Sequence, residues 1–313
     1  MKRKDAYQVF DIPEYKKIFP FVMDKRNESV VYHEFELDFT NTVRFIRQYN
    51  KDKPDTKMKI FYVFATALLR TFALRPEMNR FIMARRYWER KDLTLNFVVK
   101  ESFEDNARET SNPINFEPDM TLPEFGKIMD DYIEESRKPL VGENSTDRAV
   151  SFFLNFPYWL LGFIVKIIKF LDHRGMTPLA LNEADGLHSS VFISNLGSIG
   201  ILGGSPHHHV YEWGSTSVFI TMGSLQRHRE FDDNGKLISS KETVKIGVSL
   251  DERIADGLYF VKSMFLLQDF IEHPEKLMVK PENLPPKPIT KKEYKKKKKA
   301  DQKALKIAST PKN

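Results

Sequence analysis

The chain has 313 residues, 41% hydrophobic and 29% charged, with 12% aromatic residues and no cysteine. This apolar content suits a packed core and is too high for a disordered chain, while the missing cysteine excludes disulfides, thiolate nucleophiles and cysteine-ligated metal sites. Eleven lysines against Glu293 and Asp301 give residues 287–313 a formal charge of +9, so the remainder carries −3 and the high pI is no sign of a groove for specific nucleic acid.

The N-terminal MKRKDAYQVFDIPEY is positively charged but has no apolar stretch behind it, so no signal peptide is read and a cytoplasmic location is expected. Residues 31–39 alternate, with His33, Phe35, Leu37 and Phe39 opposite Glu34, Glu36 and Asp38, the pattern of a half-buried strand. Thr40 or Asn41 then suits the N-cap of a short helix bearing Val43, Phe45, Ile46 and Tyr49. Residues 59–74 (KIFYVFATALLRTFAL) are apolar almost all round, which predicts a buried helix. A hairpin is expected from strands near 85–88 and 93–100, then a surface helix over 123–137 opened by Thr121 and Pro123.

Residues 152–171 (FFLNFPYWLLGFIVKIIKFL) approach transmembrane length, but Asn155, Pro157, Lys166 and Lys169 interrupt them. Lys166 and Lys169 share a helical face, which predicts an amphipathic helix lying on a membrane or packing on a subunit. His173 and Arg174 beside Gly175 fit a helix C-terminus. Strands over 189–194, 217–222 and 244–250 follow, with a turn near Asp233-Asn234-Gly235 before the last and a helix from Asp256-Gly257 to about Ile271. Mixed helices and strands without a Gly-rich phosphate loop point to α+β or mixed-sheet α/β rather than a dinucleotide-binding fold.

Three segments in order carry a resemblance: the 59–74 helix with the following RPEMNRF, the VFISNLG strand end at 191–197, and the run from Val218 through VKIGVSLDERIADG to FLLQDFI. Over about residues 12–138 and 186–280 the chain resembles the chloramphenicol acetyltransferase / dihydrolipoyl acyltransferase (2-oxoacid dehydrogenase acyltransferase) catalytic-domain family. The resemblance implies an α+β fold, a two-layer sandwich of a mixed β-sheet with helices packed on one face. It further implies homotrimers with acyl-transfer sites between subunits, and coenzyme A as a substrate with no tightly bound cofactor. On this basis residues 1–285 form an acyltransferase-like domain, with an insertion at about 140–185 containing the apolar helix, and 286–313 a disordered lysine-rich tail. With the resemblance starting so near the N-terminus, a free-standing protein rather than a multienzyme-complex core is expected.

The family's H-x-x-x-D-G motif aligns with Asp251-Glu252-Arg253-Ile254-Ala255-Asp256-Gly257, where Glu252 occupies the position of the general-base histidine. Taking a proton from a thiol of pKa about 8.5 is uphill by about two units for histidine at 6.5 and about four for glutamate at 4.3. The extra two units are roughly 2.7 kcal/mol, or about a hundredfold in rate, unless burial raises the carboxylate. By the same resemblance Ser194 matches the hydroxyl that stabilises the oxyanion, and Asp256 the carboxylate that orients the loop. Arg253 is expected to pair with an aspartate of this loop and, with Asp256, to hold it, while Asp251, Asn195 and Gly257 complete the supporting frame. The plainer readings are a strand end at Ser194 and a turn with a helix start at Asp256-Gly257.

His207, His208 and His209 lie between the second-half strands, and one of them, with His208 as the candidate, could replace the missing base with Glu252 orienting it. A polar loop is the plainer reading, and the ligand set is incomplete for a metal, so no metal is expected. The expected function is transfer of an acyl group between acyl-CoA and a hydroxyl, amine or thiol acceptor. The alternative is a catalytically silent trimer serving as a coenzyme A-binding or membrane-surface scaffold. Peripheral membrane contact would use residues 152–171 with the lysine tail, and any nucleic-acid contact of that tail would be nonspecific.

Overall fold

A computed structural model describes residues 3–54, 56–100, 104, 109–111, 113–137, 155–174, 176–201 and 206–308. Residues 140–154 of the expected insertion, Gly175 and Ser205 lie outside the described residues. In chain order the elements are β1 (Ala6–Gln8), α1 (Phe19–Val22), β2 (Val30–Asp38), α2 (Thr40–Asp52), α3 (Ile60–Leu74), β3 (Arg80–Met83), β4 (Arg86–Arg90) and β5 (Leu93–Phe97). There follow β6 (Val99–Lys100), β7 (Glu109–Thr110), β8 (Ile114–Phe116), α4 (Leu122–Arg137), α5 (Tyr158–His173) and α6 (Leu179–Ala184). The last are β9 (Val191–Asn195), β10 (Val218–Met222), β11 (Gln226–Phe231), β12 (Leu237–Asp251), α7 (Gly257–Glu272) and α8 (Lys291–Ala308).

The main sheet runs β11–β12–β10–β9–β5–β8, with β2 also paired to β12. It is mixed, since β9 runs parallel to β10 and β5 while β12 is antiparallel to β10, β11 and β2. Val244, Ile246, Val248 and Leu250 of β12, with Val218 and Ile220 of β10, enter the large core beneath α3 and α7. On the other face Phe192 and Phe219 form a separate small cluster with Val210. The pleat thus sends alternate residues of each strand to two environments, and the architecture is the expected α+β sheet with its main helices on one face. The largely apolar sequence of α3 follows from burial on nearly every side, and its one cation, Arg70, donates to the carbonyls of Met120 and Val279.

Three expectations need correction. The start of α2 is served by Asp38, whose carboxylate accepts the Thr40 N–H at 2.8 Å, because Thr40 is already helical and its hydroxyl accepts the Glu242 N–H at 3.0 Å. The hairpin forms one strand earlier than expected. Ala84 and Arg85, at φ 51° and 57°, make a two-residue left-handed turn that pairs β3 with β4, so β4 joins β1 and β5 crosses to lie parallel beside β9. The lysine-rich segment, expected to be disordered, is helical as α8. Thr290 donates its N–H and hydroxyl to Glu293 at 2.7 Å each, a capping box, Lys297 bonds Asp11 at 2.6 Å, and Tyr294 stacks on Phe10. Acidic and aromatic groups near the N-terminus thereby offset part of the lysine repulsion.

Candidate active site

The turn between β12 and α7 is fixed at both ends. Asp251, the last residue of β12, grips Arg253 through Nε at 2.9 Å and Nη2 at 2.7 Å, with both side chains at most 2% exposed. Arg253 Nη1 also donates to the Met23 carbonyl at 2.7 Å, tying the turn to the N-terminal segment. At the other end Asp256 caps α7 by accepting the Tyr259 N–H at 2.9 Å, the role a short acidic side chain fills at an N-cap. Its second oxygen accepts from Lys16 Nζ at 2.9 Å. The Lys16 ammonium foremost, then the Tyr259 N–H, holds the Asp256 carboxyl below the usual aspartate range.

Between these anchors Glu252 donates its N–H to the Ser29 carbonyl at 2.9 Å, and its side chain is exposed. No hydrogen bond or ion pair engages its carboxylate among the described residues, so it is available to a proton outside this chain's own fold. Gly257 opens α7 with open space around its Cα, so no close packing there calls for glycine.

Ser194 lies one residue before the end of β9, on the face away from the main helices, in parallel register with Thr221. Its half-buried hydroxyl has no hydrogen-bond partner among the described residues and is free to donate. Asn195 precedes a single 3-10 turn and its carbonyl accepts the Ser198 hydroxyl at 2.6 Å. Gly197 is needed there, since a Cβ would sit 2.5 Å from the Gly223 carbonyl oxygen.

Residues 206–209 cross the same sheet face, held by Thr221 Oγ1 donating to the Pro206 carbonyl and Ser249 Oγ donating to the His208 carbonyl. The His208 ring stacks on Phe219, with centroids 5.1 Å apart. Its Nδ1–H donates to the His209 carbonyl at 2.8 Å, which leaves Nε2 as the acceptor nitrogen. Burial pushes its pKa down and so favours this neutral form. His207 instead donates to the His33 carbonyl at 3.0 Å.

The structure therefore brings Ser194 and His208 to one sheet face but leaves Glu252 elsewhere. Ser194 is level with Thr221 and Gly247, and Glu252 lies five residues beyond Gly247. At about 3.3 Å per residue this is about 16 Å along the strands, too far for both to meet one reacting atom within a single chain. No hydrogen bond or ion pair joins Glu252 to His207, His208 or His209, so the expectation that Glu252 orients a histidine is not met. Lys16 and Thr221 carry no local sequence signal, because each acts on a partner distant along the chain. Among the described residues no group of three His, Asp or Glu side chains is placed to hold a metal.

Residues 165–279 match the family model described as 2-oxoacid dehydrogenases acyltransferase (catalytic domain). The chain is similar to that family over this segment, which is 115 of its 313 residues. The resemblance seen in its motifs is thereby shown, and it supports acyl transfer as the general activity. No curated protein sequence matches the chain. Among solved structures, the cubic core of the pyruvate dehydrogenase multienzyme complex is similar at TM-score 0.55 and 13% identity, over 87% of this chain and 95% of that one. Dihydrolipoamide acetyltransferase from Azotobacter vinelandii is similar at TM-score 0.54 and 12% identity, with the same coverages of 87% and 95%. The truncated catalytic core of the Thermoplasma acidophilum 2-oxoacid dehydrogenase complex is similar at TM-score 0.51 and 15% identity, over 86% and 99%. At these identities the likeness is one of fold.

Proposed function

We propose that the protein is a coenzyme A-dependent acyltransferase that works as a homotrimer, the Ser194 face of one subunit meeting the Glu252 turn of the next. The observation that carries this reading is the turn itself. A buried ion pair at one end and a capped, lysine-bound aspartate at the other hold out a carboxylate with no partner among the described residues. In the Azotobacter protein a serine, a histidine and an asparagine have been investigated for roles in the catalytic mechanism. Ser194 and Glu252 take the first two places here, and Asp256 completes the frame.

In the reaction Glu252, or His208 through Nε2, removes the proton of the acceptor hydroxyl, amine or thiol, and the acceptor attacks the thioester carbonyl. Ser194 donates to the oxyanion formed, the C–S bond breaks, and the proton passes to the coenzyme A sulfur. The test is acceptor-dependent release of coenzyme A from acetyl-CoA, with hydroxyl, amine and dithiol acceptors, in wild type beside Glu252→Gln. Release lost in the variant assigns the base to Glu252, release retained assigns it to His208, and absence of release from wild type refutes the reading.

A second reading concerns α5. Trp159 is 75% exposed, and Phe163, Ile167 and Phe170 follow on the same exposed face. No helix among the described residues is long and apolar enough to cross a membrane. An exposed aromatic stripe flanked by Lys166, with the lysines of α8, supports peripheral contact with an anionic membrane from the cytoplasmic side. Co-sedimentation with phosphatidylserine vesicles that survives Trp159→Ser with Phe163→Ser would refute it.

A further inference from the structure

A cavity of about 470 Å³ lies beside the catalytic turn, between α1, the β3–β4 turn and the C-terminal half of α5. Its charged lining is mostly cationic: Lys25, Arg26, Arg85, Lys169 and Arg253, against Asp24 and Glu212. Most of these are internally matched. Arg253 is held by Asp251, Arg85 by Asp24 at 3.1 Å, and Lys25 by Glu28 at 3.7 Å, while Glu212 accepts the Asn27 N–H at 2.9 Å.

Arg26 and Lys169 are not. Arg26 is buried, with Nη1 donating to the Gly214 carbonyl at 2.7 Å and Nη2 to the Thr216 carbonyl, but among the described residues Nε has no partner and no carboxylate lies within ion-pair distance. Desolvation outweighs the attraction of Asp251 and pushes this guanidinium down to about 10. Lys169, half-buried on α5, likewise has no carboxylate partner among the described residues. A buried cation without a counter-charge is costly, and an orphaned Nε in a folded protein calls for an explanation.

We propose that this cavity is an oxyanion site that binds a phosphate group carried by one of the protein's substrates, with Lys169 and Arg85 at its rim and Arg26 supplying positive charge from its wall. The group comes from coenzyme A or from a phosphorylated acceptor, and which one it is rests on the acyltransferase reading. Phosphate binding does not rest on it. Lys169, and the Arg85 Nη groups that Asp24 leaves unengaged among the described residues, can donate charge-assisted hydrogen bonds to a tetrahedral anion, and α5 lines one side of the cavity. Arg253 ties the cavity to the turn that carries Glu252, so a phosphate here would anchor a substrate whose reactive end reaches that carboxylate.

The experiment is calorimetric titration of the full chain, at fixed ionic strength, with inorganic phosphate, coenzyme A and 3′-dephospho-coenzyme A. Wild type and the rim variants Lys169→Gln and Arg85→Gln are compared, after circular dichroism shows that both variants are folded. Phosphate binding that weakens about tenfold or more in each variant, the effect of about 1.4 kcal/mol, supports the site. A matching loss for 3′-dephospho-coenzyme A in wild type supports coenzyme A as the source. Coenzyme A affinity that is unchanged in the variants, with phosphate binding lost in them, supports a phosphorylated acceptor. Wild type that binds no phosphate at millimolar concentration, or variants that bind it as wild type does, overturn the proposal. Because this readout needs no turnover, it can fail while coenzyme A release is intact, and the reverse.

Discussion

Replacing Arg253 with Met tests the frame that presents Glu252. The arginine is 2% exposed at its side chain and its partner Asp251 is 1% exposed, joined by two short bonds of 2.9 and 2.7 Å. Removing the guanidinium leaves the Asp251 charge buried without compensation, which costs about 3–5 kcal/mol. At roughly 2 °C per kcal/mol for a chain of this size, Tm should fall by about 6–10 °C. Thermal unfolding followed by circular dichroism, with the urea midpoint as a second measure, reads this directly. Asp251→Asn should cost a similar amount, and the double variant less than the two single losses added, since neither group is then left alone. Recovery will be incomplete because Arg253 also holds the Met23 carbonyl at 2.7 Å. A fall of under about 2 °C for Arg253→Met, or strict additivity in the double variant, would refute the claim that this pair anchors the turn.

Three further outcomes are expected. Ser194→Ala should lower kcat by about 10²–10³-fold, the usual effect of losing an oxyanion donor, while Tm stays within about 1 °C because a partnerless half-buried hydroxyl contributes little; a stability loss with unchanged kcat would reverse the assignment. Glu252→His should raise the rate with a thiol acceptor by up to about a hundredfold, the advantage of a base nearer the thiol pKa, and a slower variant would place the base elsewhere. Asp256 is depressed in the folded state by Lys16 and the Tyr259 N–H. Its stabilisation is therefore complete above the unfolded aspartate pKa of about 3.9 and lost as pH falls through the lower folded value. Wild-type Tm should thus drop more steeply than that of Asp256→Asn on acidification below about pH 4, and parallel curves would contradict this.

What was legible in the sequence rests on interactions that are local or periodic. The alternation of 31–39 forms β2, the largely apolar 59–74 forms the buried α3, and Asp256 stands at the start of a helix because an N-cap needs only the next turn. The β12–α7 turn could be recognised for the same reason, since Asp251, Arg253 and Asp256 lie within six residues of one another. The hairpin was misplaced by one strand because two left-handed residues, Ala84 and Arg85, belong to no common turn pattern of residue types. Charge alone predicts a disordered lysine tail, whereas the groups that steady it, Phe10, Asp11 and Glu14, lie about 285 residues away. Only the tertiary structure could decide that Lys16 clamps Asp256, that Ser194 and Glu252 stand too far apart to act together in one chain, and that Arg26 lies buried beside a cavity with no carboxylate partner among the described residues. Each of these depends on which strands become neighbours and in what register, and sheet pairing is a long-range outcome that neither residue periodicity nor motif spacing encodes.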